Sequence, residues 1–193
     1  MSVSLVKGQR ISLEKDGGSL SNVFMGLGWD AAQKKGFFGF MRSGDDIDLD
    51  ASCVMIAEDA STLIDVVYFG NLHSKDGSVI HSGDNLTGEG EGDDEVINVN
   101  LKAVPPQVAY LVFTISSYRG QTFDTIQNAF CRLVDKSTNR EIAKYEITGG
   151  GNYTGMIMAV LYRKNNEWKM RAIGEKAHSK TVGDLVDLIF KIL

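Results

Sequence analysis

Thirteen residues, Gly83 to Glu95 (GDNLTGEGEGDDE), hold six carboxylates, Asp84, Glu89, Glu91, Asp93, Asp94 and Glu95, together with four glycines and no basic side chain. Neighbouring carboxylates about 6 Å apart repel by roughly 0.7 kcal/mol per pair even in water, and each loses hydration when the loop folds against a domain. A bound cation reverses that sign. Hard oxygen donors in this number suit Ca²⁺, which takes about six to eight oxygens in flexible geometry. They suit Mg²⁺, which keeps its waters, or zinc, which prefers nitrogen and sulfur, less well. The glycines let backbone carbonyls turn inward as further ligands. The alternative is a solvated acidic loop, the ordinary fate of such runs.

A second acidic cluster, Asp45-Asp46-Ile47-Asp48-Leu49-Asp50, leads directly into the apolar run ASCVMIA. In a strand, Ile47, Leu49, Ala51 and Cys53 share the core face, so Asp46, Asp48 and Asp50 share the opposite one with neighbours about 7 Å apart. Two carboxylates at that spacing can reach one ion. Burying them without a cation would raise their pKa values and cost stability, so a cation between this segment and the acidic loop is the simplest solution. Asp30, after Trp29, supplies either a further oxygen or a turn.

Better-known motifs fit the acidic loop poorly. An EF-hand begun at Asp84 would put Glu95 at position twelve, but Leu86, Gly88 and Glu89 occupy its third, fifth and sixth positions, where oxygen ligands and a glycine belong. A phosphate-cradling loop would need Lys and Ser or Thr where Glu89 follows Gly88. Gly90, Gly92, Asp94 and Val96 match part of a calcium-binding nonapeptide repeat, but only one copy is present and those sites form between stacked copies. His73, His81 and His178 fall in no metal or nucleophile spacing and read as structural or exposed. No nucleophile elbow or dinucleotide fingerprint occurs. The competing reading is a metal-assisted hydrolase that uses the same carboxylates to hold an ion and an activated water.

The elements that must position these residues read as strands. Short runs with two-residue alternation or β-branched and aromatic content, separated by Gly, Asn, Asp and Ser clusters, predict an all-β, two-sheet antiparallel β-sandwich. Strands are expected near Val3 to Val6, Arg10 to Glu14, Asn22 to Gly28, Leu49 to Ala57, Leu63 to Phe69 and Val79 to His81. Others are expected near Glu95 to Leu101, Val108 to Ser116, Asn128 to Asp135, Glu141 to Ile147, Met156 to Arg163 and Glu167 to Gly174. Asp76-Gly77 and Asn165-Asn166 suit hairpin turns between adjacent strands, and Pro105-Pro106 closes off the strand after the acidic loop. VAYLVFTIS, apolar on both faces, belongs near the middle of a sheet. Thr122 to Gln127 can form one helical turn. A short C-terminal helix sets Val182, Leu185, Val186, Ile189 and Leu193 on one face, to dock on a sheet or a partner.

The 193 residues, 43% hydrophobic, are enough for one well-buried domain spanning the chain. The formal charge is −5 while the acidic loop alone carries −6, so the remainder shows no basic footprint for nucleic acid. Cys53 and Cys131 sit in apolar runs as buried thiols, which suits a reducing compartment. The N-terminus has no signal pattern and no apolar run approaches a membrane span, so a soluble cytoplasmic protein is expected. Between Gln33 and Gly44 (QKKGFFGFMRSG), Phe37, Phe38 and Phe40 stand beside Lys34, Lys35 and Arg42 in a segment unlike a strand. Exposed, these aromatics suit a peripheral contact with the inner membrane face or a protein partner. Folded back, they cap the core.

GLGWD (Gly26 to Asp30), DIDLDAS (Asp46 to Ser52), the acidic loop, AFCRLVD (Ala129 to Asp135) and LYRKNNEWKMRAIG (Leu161 to Gly174) together resemble the TerD family of tellurium-resistance and stress proteins, most closely its TerZ branch. The resemblance implies a two-sheet sandwich that binds Ca²⁺ through the two acidic motifs. It also implies a bacterial setting linked to tellurite, phage and colicin resistance and general stress; with no catalytic frame in the sequence, a non-enzymatic role alongside other proteins of the resistance system is expected. Carried onto this chain, the motifs point to Asp46, Asp48, Asp50, Asp84, Asn85, Thr87, Glu89, Asp93, Asp94 and Glu95 as metal ligands.

Overall fold

A computed structural model describes residues 2–15, 18–31, 34–35, 41–42, 48–83, 92–147, 150–165 and 167–193; of these, residues 15, 18–19, 30–31, 34–35, 41–42 and 127–128 are described by their backbone alone. The strands in chain order are β1 (Val3–Ser4), β2 (Arg10–Ser12), β3 (Glu14–Lys15), β4 (Gly18–Ser19), β5 (Asn22–Ala31), β6 (Lys34–Lys35), β7 (Met41–Arg42) and β8 (Leu49–Ala57). They continue with β9 (Leu63–Val67), β10 (Val79–His81), β11 (Glu95–Asn100), β12 (Val108–Ser117), β13 (Ile126–Asp135), β14 (Arg140–Glu146), β15 (Gly155–Lys164) and β16 (Glu167–Ala177). A 3₁₀ turn at Val182–Leu185 leads into α1 (Val186–Ile192), and another occupies Phe123–Thr125.

Two six-stranded sheets result, one in the order β1-β14-β13-β5-β11-β10 and the other β2-β16-β15-β12-β8-β9. Every pairing in them is antiparallel except β1 with β14, where Val3 lies opposite Ala143 in parallel register. The expected two-sheet antiparallel sandwich thus has one parallel pairing at an edge, where strand direction is set by the path of the chain and not by local pattern. β12 lies inside its sheet between β15 and β8, as its two apolar faces predict.

Alternation along the strands builds the core. Val23, Met25 and Leu27 of β5 with Ile97 and Val99 of β11 share one apolar cluster with Leu49, Ala51 and Cys53 of β8 and Leu111, Phe113 and Ile115 of β12. The opposite face of the second sheet is covered in its turn. Leu185 and Ile189 are fully buried against Val54, Ile56, Val112, Ile157 and Val160, so the C-terminal helix docks on its own sheet. Each such side chain contributes about 1.5–3 kcal/mol of apolar burial. Asp184 Oδ2 accepts the backbone N–H groups of Lys180 (2.9 Å) and Thr181 (3.0 Å), which fixes the entry to that helix.

Two local expectations change and one holds. The Asp76-Gly77 turn closes on an isolated bridge, His73 to Ile80, and the strands on either side of it, β9 and β10, belong to different sheets. Asn165, at φ 55°, does lie in the β15–β16 hairpin, with Lys164 opposite Glu167. The Gln33 to Gly44 segment contains a short ladder, Lys34 opposite Arg42 and Lys35 opposite Met41, where no strand is expected. Its residues Phe37, Phe38 and Phe40 lie outside the described residues. Cys53 and Cys131 are free and buried, and burial raises both thiol pKa values, that of Cys131 to about 12.

Candidate functional site

β11 begins where the acidic loop ends. Glu95 shares its face of β11 with Ile97 and Val99, so its carboxylate enters the space between the sheets and is 1% exposed. There Glu95 Oε2 accepts the backbone N–H of Ala51 at 2.7 Å, a bond from the first residue of β11 to β8 in the opposite sheet. A carboxylate in such a place is held only by donors aimed at it. His81 supplies a second neighbour. Its Nδ1 accepts the Gly83 N–H at 3.1 Å, which leaves the proton of the neutral ring on Nε2. That nitrogen stands 3.3 Å from Glu95 Oε2, off the line of a hydrogen bond.

Asp48 and Asp50 flank Leu49 on the entry to β8. Leu49 and Ala51 turn into the core, so the two aspartates turn away from it together, and both are nevertheless buried, at 5% and 7% exposure. Asp50 lies opposite Ser116 of β12. Asp48 Oδ2 is 3.1 Å from Nε of Arg119, in the turn after β12.

Asp93 and Asp94 attach the end of the acidic loop to β5. Asp94 Oδ2 accepts the Trp29 N–H at 2.8 Å, and the Asp94 N–H donates to Leu27 O at 2.6 Å. Both oxygens of Asp93 are taken by Arg132 of β13, Nε to Oδ1 at 2.8 Å and Nη2 to Oδ2 at 2.9 Å. The hydrogen bonds it donates to Asp93 hold the Arg132 guanidinium above its ordinary pKa, with Glu141 adding to the effect from 3.5 Å. The glycines of GLGWD make this approach feasible. A Cβ on Gly26 would lie 2.3 Å from Asp93 Cγ, and one on Gly28 would lie 2.6 Å from the carbonyl oxygen of Gly92.

The structure therefore brings Glu95 to the β8 segment that carries Asp48 and Asp50, and it fastens Asp93 and Asp94 beside β5. Asp46, Asp84, Asn85, Thr87 and Glu89 lie outside the described residues, as does the side chain of Asp30. Among the described residues no group of three or more His, Cys, Asp or Glu is gathered closely enough to hold a metal ion. The donors that are described are carboxylate oxygens, which fit a hard cation such as Ca²⁺ and not a zinc centre. Sequence reasoning missed Arg119 and Arg132; His81, read as structural or exposed, is buried and structural. The usable signal for Arg132 is a lone cation inside the apolar strand AFCRLV that falls opposite Gly26 in register.

Residues 1–188 match the TerD domain. The chain is 50% identical over 184 residues to the tellurium resistance protein TerZ of Serratia marcescens, covering 95% of this chain and 94% of that one. It is 43% identical over 197 residues to the stress response protein SCP2 of Bacillus subtilis, covering 96% and 98%. Among solved structures it is similar to a homologue of the telluride resistance protein TerD from Streptomyces coelicolor. That likeness has a TM-score of 0.71 and 20% identity over 87% of this chain and 96% of that one, and it bears on the fold alone. No helix among the described residues is long and apolar enough to cross a membrane.

Proposed function

We infer that this chain, which belongs to the TerD family of tellurium-resistance and stress proteins, is a non-enzymatic calcium-binding module of a bacterial resistance system that engages its partners when the ion is bound. The bond from Ala51 N to Glu95 Oε2 carries this reading, because it draws the end of the acidic loop against the segment bearing Asp48 and Asp50. A cation held by Asp48 and Asp50 at the entry to β8, with further oxygens from the acidic loop, would offset the repulsion between those two buried carboxylates. The proposed ligands are drawn from Asp46, Asp48, Asp50, Asp84, Asn85, Thr87, Glu89, Asp93, Asp94 and Glu95. Of these, Asp93 also serves as an anchor through Arg132, and Asp94 through the Trp29 N–H.

The proposed setting is the cytoplasm, with other proteins of the resistance system as partners and a peripheral membrane contact through Phe37, Phe38 and Phe40. An ion that binds only the native state stabilises it by RT ln(1 + [L]/Kd), about 2.7 kcal/mol at one hundred times Kd. Thermal melting in chelator and then in excess Ca²⁺, paired with calorimetric titration, tests the proposal. An unchanged midpoint together with no heat of binding would overturn it.

A further inference from the structure

On the outer face of the second sheet, away from every acidic motif, a cavity of about 360 Å³ lies beside the end of the C-terminal helix. Arg10, Lys164, Arg171, Tyr110, Tyr162 and Leu193 are among the residues that line it. Its volume is at the low end of the roughly 300–1,000 Å³ typical of small-molecule sites.

Two of the cations, Arg10 and Arg171, are placed against their own electrostatics, while Lys164 lies opposite Glu167 in register. Arg10 of β2 lies directly opposite Arg171 of β16. Like charges directly opposite across an antiparallel pair are destabilising. Burial and the neighbouring Arg10 both push the Arg171 pKa down. Among the described residues, no ion pair joins Arg10, Lys164 or Arg171 to a carboxylate, although Lys169, on the same strand as Arg171, pairs with Glu167 at 3.4 Å and Lys7, in the turn before β2, pairs with Glu175 at 2.8 Å. Arg171 is also held in place. Its Nη2 donates to Ile192 O at 2.9 Å, while its Nε is buried and donates to no group among the described residues. Tyr110 and Tyr162 lie opposite each other in the adjoining register row, half-buried, and bring two phenols to the same cavity. Arg163 borders the cavity too, but its guanidinium donates to Val104 O and stands over the Trp168 ring, so it is counted with the scaffold.

We propose that this cavity is a binding site for a small phosphate monoester, with Arg10, Arg171 and Lys164 taking the phosphate group and Tyr110 and Tyr162 flanking the organic part. Planar guanidinium groups bind phosphate oxygens bidentately, and an incoming dianion removes the repulsion between the two arginines. The cavity is polar at the arginines and ringed by aromatic and aliphatic surface at Tyr110, Tyr162, Val160 and Leu193, a division that suits an organic phosphate better than a bare oxyanion.

The test is calorimetric titration of the full chain with phenyl phosphate and, separately, with inorganic phosphate, at calcium levels below those that precipitate phosphate. One saturable site is expected, tighter for phenyl phosphate. In Arg10→Gln/Lys164→Gln the affinity should fall about tenfold or more, while Lys136→Gln, which removes a distant cation, leaves it unchanged. If the double variant does not fold, Arg10→Gln alone, at an exposed edge position, carries the same comparison. Absence of saturable binding by either probe overturns the site, as does an equal loss in Lys136→Gln, which would mark non-specific attraction. Inorganic phosphate binding as tightly as phenyl phosphate overturns the assignment of an organic ligand.

Discussion

Replacing Glu95 tests whether the bond between the sheets holds the acidic segments together. In Glu95→Ala the Ala51 N–H loses the acceptor it has at 2.7 Å, and His81 Nε2 loses the carboxylate 3.3 Å away, both in a buried setting. An orphaned buried donor costs about 1–3 kcal/mol, and a hydrogen bond to a charged group contributes about 1.5–3. These figures describe one interaction from two sides and are not summed, so the expected loss is about 2–3 kcal/mol, before any relaxation of the space left by the side chain. Glu95→Gln keeps the shape and one acceptor oxygen, and should lose about half as much. Urea denaturation in chelator measures both variants, provided the slope m is unchanged so that the midpoint shift reports stability. Repeating the series in excess Ca²⁺ separates the two roles of the residue: the gain on adding the ion should be smaller in Glu95→Gln than in wild type. A Glu95→Ala variant within about 0.5 kcal/mol of wild type in chelator would refute the structural half of this reasoning.

Gly26→Ala places a methyl group against Asp93 Cγ, and the backbone or the Asp93–Arg132 pair must shift, so a loss of about 1–3 kcal/mol is expected by the same denaturation assay. Asp59 accepts hydrogen bonds from the Ser61 and Thr62 backbone and the Thr62 hydroxyl, led by the hydroxyl, which lowers its carboxyl pKa to about 2. Because its folded pKa is depressed, its stabilising effect is present above the unfolded value of about 3.9 and is lost as pH falls toward 2. Asp59→Asn should therefore flatten stability across that window while leaving the slope above pH 5 unchanged, as pH-resolved melting will show. Both thiols should resist an aromatic disulfide reagent at pH 8 in the native protein and react fully in denaturant, since burial disfavours the thiolate at Cys53 and Cys131.

Much of the fold can be read from the sequence wherever the pattern is local. Leu49–Ala57 and Val79–His81 come out at the bounds the sequence predicts, because polar residues bracket each apolar run. The β15–β16 hairpin follows from Asn165 and its flanking strands. The two-residue ladders at Lys34–Lys35 and Met41–Arg42 do not follow, since two residues carry no periodicity. A strand near Val3 is expected, but its parallel attachment to β14 does not follow, because strand direction is set by the path of the chain. At the site, the acidic segments announce themselves by composition, but their counterparts do not. Arg119 and Arg132 are ordinary surface cations by sequence, and His81 shows no ligand spacing. Their significance comes from contacts with Asp48, Asp93 and Glu95 that are fixed only when strands distant in the chain meet.

The placement of the first strands has a consequence for the order of events during synthesis. β1 joins the edge of one sheet through β14, and β2 joins the edge of the other through β16, so residues 3–12 tie both sheets at one side. The partners of β2 lie far along the chain, Ser12 opposite Lys169 and Arg10 opposite Arg171. At about 5–20 residues per second the ribosome needs on the order of ten seconds to travel from one to the other. Throughout that interval the first strands have no edge to join, and the loop-closure entropy of a non-local pairing has to be met before its contacts form. Residues 3–12, made well before the strands they pair with, are therefore among the last to be locked, and the edge of β16 waits for a segment made long before it.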